Sequence, residues 1–131
     1  MTIEEVYKIL PTHQCCVEYL ESIRWSNGAI CPYCGNKRPS SAPSELRYHC
    51  NSCHTSFSVT VGTPFHRTRI DLQKWFAAIT QLNEAPDLTV RQLGERINVT
   101  KDTALLMLNR LRVRKHDFID EIKQLDKIKE P

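Results

Sequence analysis

Glycine is scarce in this chain, four residues in 131, which leaves little room for flexible linkers between separate modules. Long apolar runs are missing as well. No stretch approaches the roughly 18–20 apolar residues that a bilayer-spanning helix requires, so no membrane partner is expected. The N-terminus opens Met1-Thr2-Ile3-Glu4-Glu5, acidic and with too short an apolar run for a secretory signal. The thiols are therefore expected in a reducing compartment, where a metal rather than a disulfide claims them. Hydrophobic residues at 40% and charged residues at 25% describe a soluble, folded chain, and its length suits one domain or two small ones sharing contacts.

Cysteine is what the chain does have. Cys31-Pro32-Tyr33-Cys34 and Cys50-Asn51-Ser52-Cys53 are two C-x-x-C knuckles with fifteen residues between them. Two residues between the thiols of a pair let a tight turn aim both sulfurs at one point. Two such turns supply four ligands in a tetrahedron, which Zn²⁺ accepts without geometric penalty, and the spacing is that of a zinc site. Pro32 stiffens the first turn, and Gly35 permits the positive φ that lets backbone N–H groups face the sulfurs. A redox pair would want a βαβ context, and none surrounds these residues. A sulfur tetrahedron also holds iron, and the ligands alone do not separate the two ions. The rest of the chain argues for zinc, one structural ion held by Cys31, Cys34, Cys50 and Cys53. Cys15 and Cys16 are adjacent on a helix, about 100° apart, and read as buried small hydrophobes.

The net charge of +3 is unevenly spread. Residues 1–30 carry −2, residues 31–83 carry +4, residues 84–115 carry +3 and residues 116–131 carry −2. A basic middle between acidic ends favours a polyanionic partner.

Periodicity divides the chain into an α+β arrangement. Residues 1–30 read as N-terminal helices: one ends at Pro11, and a second runs from a Thr12 cap to about Ile23. Residues 31–63 read as a zinc ribbon of two or three short antiparallel strands. Within it, 36–46 is expected as a polar loop, Leu46–Cys50 as a strand, and Phe57–Val61 as a second strand by its alternation. Phe65–Arg69 follows as a basic connector, in which His66 is a poor ligand candidate because four cysteines already fill the site. Residues 64–115 contain a helix-turn-helix. Leu72, Trp75, Phe76, Ile79 and Leu82 form one apolar face of a helix capped by Asp71. Thr89 caps a short helix over Val90–Ile97, and Asn98-Val99-Thr100 turns into a second helix from Lys101 to about Arg112. Gly94 supplies the small residue where the helices cross, and Asn98 tolerates the left-handed geometry of the turn. Residues 116–131 read as a charged helix or tail with Phe118, Ile122 and Leu125 on one side.

A helix-turn-helix that reads DNA puts its second helix into the major groove, N-terminal turn forward. Thr100, Lys101, Asp102 and Thr103 would then lie near bases or phosphates, and Leu106 could reach a thymine methyl. Arg110, Arg112, Arg114 and Lys115 suit phosphates, as do Arg67 and Arg69 in the connector. Asp102 would accept from cytosine or cap first-turn N–H groups.

Taken in order, Arg24-Trp25, Gly28, the first knuckle with Gly35, Tyr48 and the second knuckle, Phe57-Ser58-Val59-Thr60, Gly62-Thr63, Phe65-His66-Arg67-Thr68 and Leu72 with Lys74-Trp75-Phe76 resemble a known region. It is the N-terminal zinc-ribbon region of Merlin-like insertion-sequence transposases. Thr103-Ala104 and Leu108 with Arg110-Leu111-Arg112 continue the likeness, which spans about residues 15–112. The resemblance implies binding of double-stranded DNA at terminal inverted repeats, with cutting left to a following RNase H-like domain. Pro131 falls roughly where that domain should begin, and two-metal phosphoryl transfer needs carboxylates on a rigid scaffold. The expectation is thus a DNA-binding protein, transposase-derived or truncated, that is not itself an enzyme. Its expected place is the cytoplasm with the nucleoid, or the nucleus of a eukaryotic host. A second copy of the chain or a separately encoded catalytic subunit is the candidate protein partner. A standalone transcriptional regulator and a protein-interaction module are the alternative readings.

Overall fold

A computed structural model describes residues 2–25, 27–42, 46–113 and Ile122. Two helices open the chain, α1 (Ile3–Ile9) and α2 (His13–Arg24). Three short strands follow, β1 (Ser40–Ala42), β2 (Arg47–His49) and β3 (Ser56–Phe57). Three helices complete the described chain, α3 (Leu72–Glu84), α4 (Val90–Ile97) and α5 (Lys101–Val113). The class is α+β. No helix among the described residues is long and apolar enough to cross a membrane.

Helix starts are set by side-chain caps. Thr12 accepts from Cys15 N, Asp71 from Gln73 N and Thr89 from Gln92 N, each satisfying a donor that the first turn leaves orphaned. Thr2 with Glu5 and Thr89 with Gln92 make reciprocal capping boxes. The apolar stripes of these helices then share one core. Val6 of α1, Cys16 and Leu20 of α2, Trp75 and Phe76 of α3, Leu93 of α4 and Met107 of α5 are buried together. Burial pushes the Cys16 thiol up to about 12, so it stays a neutral core side chain. Ile122 is fully buried in the same core, whereas Phe118 and Leu125 lie outside the described residues.

Polar contacts lock the start of α3 onto the first two helices. Gln73 Nε2 donates to the Leu10 carbonyl at 2.8 Å, and the Leu72 N–H donates to His13 Nδ1 at 3.2 Å. The first takes up a carbonyl at the end of α1 that its own helix cannot reach.

The sheet has the order β1-β2-β3, antiparallel throughout. Strand β1 lies inside the stretch 36–46 that composition marks as a loop, so that expectation is corrected. The pairing of Ser41 with Tyr48, not an apolar pattern of its own, makes β1 a strand. Tyr48 also faces Phe57 in register, with the rings stacked 5.8 Å apart. Trp25, the C-cap residue of α2, meets both edge-on at 5.4 and 6.0 Å. This aromatic trio joins the ribbon to the helical core, since Trp25 packs against both.

The expected second strand over Phe57–Val61 is also corrected: β3 stops at Phe57 and the chain turns. The alternation is genuine, for Phe57, Val59 and Val61 are all buried. What the backbone lacks is a strand partner. Arg24 Nη1 donates to the Val59 carbonyl at 2.6 Å and to the Val61 carbonyl at 2.7 Å. A cation from the end of α2 thus takes the acceptors that a ladder would have used. Replacing it as Arg24→Met keeps an apolar stem and orphans both carbonyls. We expect urea unfolding of the zinc-loaded variant to show a loss of about 2–4 kcal/mol; a change below about 1 kcal/mol would show the tie to be dispensable.

Candidate metal centre and nucleic-acid interface

The two knuckles are copies of one backbone turn. Cys31 N donates to the Asn36 carbonyl and Gly35 N to the Cys31 carbonyl, both at 2.9 Å. In the second, Cys50 N donates to the Thr55 carbonyl at 2.9 Å and His54 N to the Cys50 carbonyl at 2.8 Å. The residue after the second cysteine must turn left-handed in each case, and Gly35 has φ +81° while His54 has φ +60°. Glycine takes that conformation freely, but histidine takes it against a steric penalty. His54 is the non-glycine member of this pair. Its side chain is exposed, and its backbone is the part that matters.

These turns converge the four sulfurs. Cys31 Sγ and Cys53 Sγ are 3.7 Å apart, Cys34 Sγ and Cys50 Sγ are 3.4 Å apart, and all four lie within 4.8 Å of one another. A tetrahedron with Zn–S bonds near 2.3 Å has edges of about 3.8 Å, so the set fits the ion. All four corners are protein thiols, which makes a closed structural site with no position for a reacting water. Local donors prepare the charge. The Cys53 backbone N–H, 3.5 Å from Cys50 Sγ, is the main influence that brings the Cys50 thiol down to about 6. The Asn36 amide at 3.6 Å adds to it. The Thr55 hydroxyl, 3.4 Å from Cys53 Sγ, pulls that thiol down too. The Asn36 backbone lowers Cys34, but the neighbouring sulfurs, Cys50 first, outweigh it and hold Cys34 at about 12. Metal binding then displaces the protons that remain. Cys15 and Cys16 stand apart from this cluster, which is the one His/Cys/Asp/Glu group among the described residues able to hold a metal ion.

With the geometry in place, comparison with known proteins is direct. Residues 11–56 match the family model described as a transposase zinc-ribbon domain. The chain carries a transposase zinc ribbon. It is also 34% identical over 97 residues to an uncharacterized protein in transposable element ISH50 of Halobacterium salinarum. That alignment takes in 70% of this chain and 32% of the relative, so the chain spans about a third of the length of the protein it resembles. No solved structure gives a significant match. The transposase zinc ribbon holds one structural zinc ion through Cys31, Cys34, Cys50 and Cys53.

Downstream of the ribbon, α4 and α5 meet as a helix-turn-helix. Asn98 caps α4 in the left-handed conformation with φ +58°, and Val99 N closes the turn on the Gly94 carbonyl at 2.9 Å. A Cβ on Gly94 would lie 3.0 Å from the Val99 carbonyl oxygen and 3.6 Å from Ala104 Cβ, so the crossing needs glycine's bare backbone. Ala104, Met107 and Leu108 of α5 are buried. Its outer face exposes Lys101, Asp102, Leu105, Leu106, Asn109 and Arg112.

The expected contact residues fare differently. Lys101, Asp102, Leu106 and Arg112 are exposed on that face, and Arg67 and Arg69 are exposed in the connector. Thr100 is committed to capping: its hydroxyl accepts from Thr103 N at 3.2 Å and donates to Thr103 Oγ1 at 2.9 Å. The first-turn cap is therefore Thr100 rather than Asp102. Arg110 is half-buried and donates through Nη1 to the carbonyls of His66 at 2.5 Å and Pro64 at 3.4 Å. Arg114 and Lys115 lie outside the described residues. Sequence reading gave no role to Lys74, whose ammonium donates to the Ile97 carbonyl at 2.6 Å and the Asn98 carbonyl at 3.3 Å. It caps the end of α4 from α3, and only the structure could reveal it.

Two substitutions probe the metal centre. Cys50→Ser should abolish stoichiometric zinc, read by metal analysis, and the zinc-dependent part of the thermal transition; full zinc content would remove Cys50 from the ligand set. His54→Gly should keep zinc content and raise stability by about 1 kcal/mol through relief of the left-handed backbone. A drop in stability would mean the imidazole contributes more than its backbone costs.

Proposed function

We propose that the chain binds duplex DNA in a sequence-specific manner, with α5 as the reading helix and the zinc ribbon as its support. The observation that carries this reading is the outer face of α5, solvent-exposed and mixed, with Lys101, Asp102, Asn109 and Arg112 beside Leu105 and Leu106, on a helix whose inner face is packed against α4 across the Gly94 turn. A helix so held can enter a major groove about 12 Å wide. Lys101 and Asp102 at its N-terminal turn face base edges, with Thr100 and Thr103 beside them. Leu106 offers an apolar contact for a thymine methyl. Arg112, Arg67 and Arg69 are assigned to flanking phosphates, as are Arg114 and Lys115, which lie outside the described residues.

Kinship with a transposase zinc ribbon supports terminal inverted repeats of a mobile element as the target. In this reading these residues contribute binding, and cutting, which needs open ions held on carboxylates, is assigned to none of them. Arg110, a phosphate candidate by sequence, also holds the connector against α5 through the Pro64 and His66 carbonyls.

The test is selection of bound duplexes from a random library by the zinc-loaded chain, repeated across a salt series. An enriched site with a steep salt slope is the expected result. Repeats shared with element ends support the transposon role, and a palindrome supports a dimeric regulator. No enrichment at low salt would overturn the reading. On the enriched site, Lys101→Ala should relax base preference, with a loss of about 1–3 kcal/mol confined to the cognate sequence. Arg112→Ala should weaken all duplexes alike. Equal, sequence-independent losses from both would sink that division of labour.

A further inference from the structure

Two hollows flank the connector between the ribbon and α3. One, of about 560 Å³, lies against α5 and is lined by Thr63, Pro64, Arg67, Asn109 and Arg110 among others. The second, of about 720 Å³, lies against the ribbon, and Arg47, Ser56, Ser58, Thr60 and Arg67 belong to its polar lining. Arg67 lines both. Among the described residues no aspartate or glutamate lines either one.

The backbone around the ribbon-side groove is unusual. Leu46 and Arg67 line it, and both are non-glycine residues with positive φ, +55° and +57°. Each such residue costs about 1–2 kcal/mol, and strained positions of this kind gather at functional sites. Arg67 follows directly on the segment that Arg110 holds through the Pro64 and His66 carbonyls, so its place between the two hollows is tied to α5. Arg47 donates through Nε to Ser56 Oγ at 3.0 Å, which fixes the guanidinium, and its terminal N–H groups have no hydrogen-bond partner among the described residues. Arg67 is exposed and has no ion-pair partner among the described residues. The Ser58 and Thr60 hydroxyls, 2.7 Å apart, are bonded to each other, which leaves one hydroxyl hydrogen of the pair to donate in the same groove.

We propose that this ribbon-side groove is a second DNA contact: Arg47 and Arg67, with the Ser58 and Thr60 hydroxyls, bind backbone phosphates of the duplex beyond the bases read by α5. The proposal rests on the reading of α5 as a duplex-binding helix. Its chemistry is that of a guanidinium fork on a phosphate. An acidic peptide would satisfy the same charges, but continuity through Arg67 with the hollow beside α5 favours one strand of the same DNA. The ribbon thereby becomes a part of the binding surface as well as its support.

The experiment uses the full zinc-loaded chain and its selected duplex, with binding measured from low to high salt. Arg47→Gln should flatten the plot of log affinity against log salt by about 0.9, the value for one lost phosphate contact, while the base preference selected by α5 stays the same. Arg47→Lys should restore the slope, since it keeps the charge but not the Nε bond to Ser56. Phosphate ethylation interference should show sensitive phosphates outside the base-specific positions, absent for Arg47→Gln. Metal content and circular dichroism of Arg47→Gln establish that it is folded; for a misfolded variant, Arg67→Gln provides the same reading. An unchanged slope and interference pattern in a folded variant, with specific binding intact, overturns the groove assignment alone. Failure of the wild-type chain to enrich any duplex removes the α5 reading and this assignment together. Competition by an acidic peptide but not by duplex at the groove would also overturn it.

Discussion

Convergence of four cysteine sulfurs on one point is the constraint from which the ribbon takes its form. Strands of two or three residues bury too little to stand alone, and the buried cluster around the sulfurs is small: Cys31, Cys50, Phe57 and Val61 among the described residues. Two of those four are themselves metal ligands. Apparent zinc-binding energies of about 10–16 kcal/mol in small peptides exceed what such a core can offer. The aromatic trio of Trp25, Tyr48 and Phe57 and the Arg24 bonds then transmit the fixed ribbon to the helices.

Much of this was legible in the residues. The knuckles announce themselves by spacing, and Thr12, Asp71 and Thr89 cap their helices where side-chain chemistry says they should. Gly94 and Asn98 mark the helix crossing and its turn. These signals are local: each residue needs only its neighbours within a few positions to declare its role. What was not legible depends on distant partners. Phe57–Val61 alternates like a strand, yet Arg24, far upstream, claims its carbonyls. Ser40–Ala42 has no strand pattern and becomes one by pairing with Arg47–His49. His54 gives no hint that it must match Gly35, because only superposition of the two turns reveals the shared left-handed position.

The charged residues carry the same lesson into function. Composition counts every arginine and lysine of the basic middle alike, whereas the fold divides them. Lys74 closes the end of α4, Arg96 reaches Gln81 at 2.9 Å, and Arg110 clasps the connector. These cations hold the helices and connector in register. Arg47, Arg67, Arg69, Lys101 and Arg112 remain at the surface. The tethered cations keep their charge, since their partners are neutral carbonyls and an amide, and they fix where the remaining basic side chains stand.

The ribbon also occupies a telling place in the chain. Helices α1 and α2 precede it and α3 follows, yet all three share one core. Residues 25–71 are thus an insertion that must be folded back before the first helices find their main partner. Closing a loop becomes costlier as it lengthens, by about 0.6 kcal/mol for each doubling. A metal that cinches Cys31 to Cys53 shortens the free chain on that path. By roughly halving that loop the ion lowers the entropy cost of bringing the first helices onto α3 by about 0.6 kcal/mol.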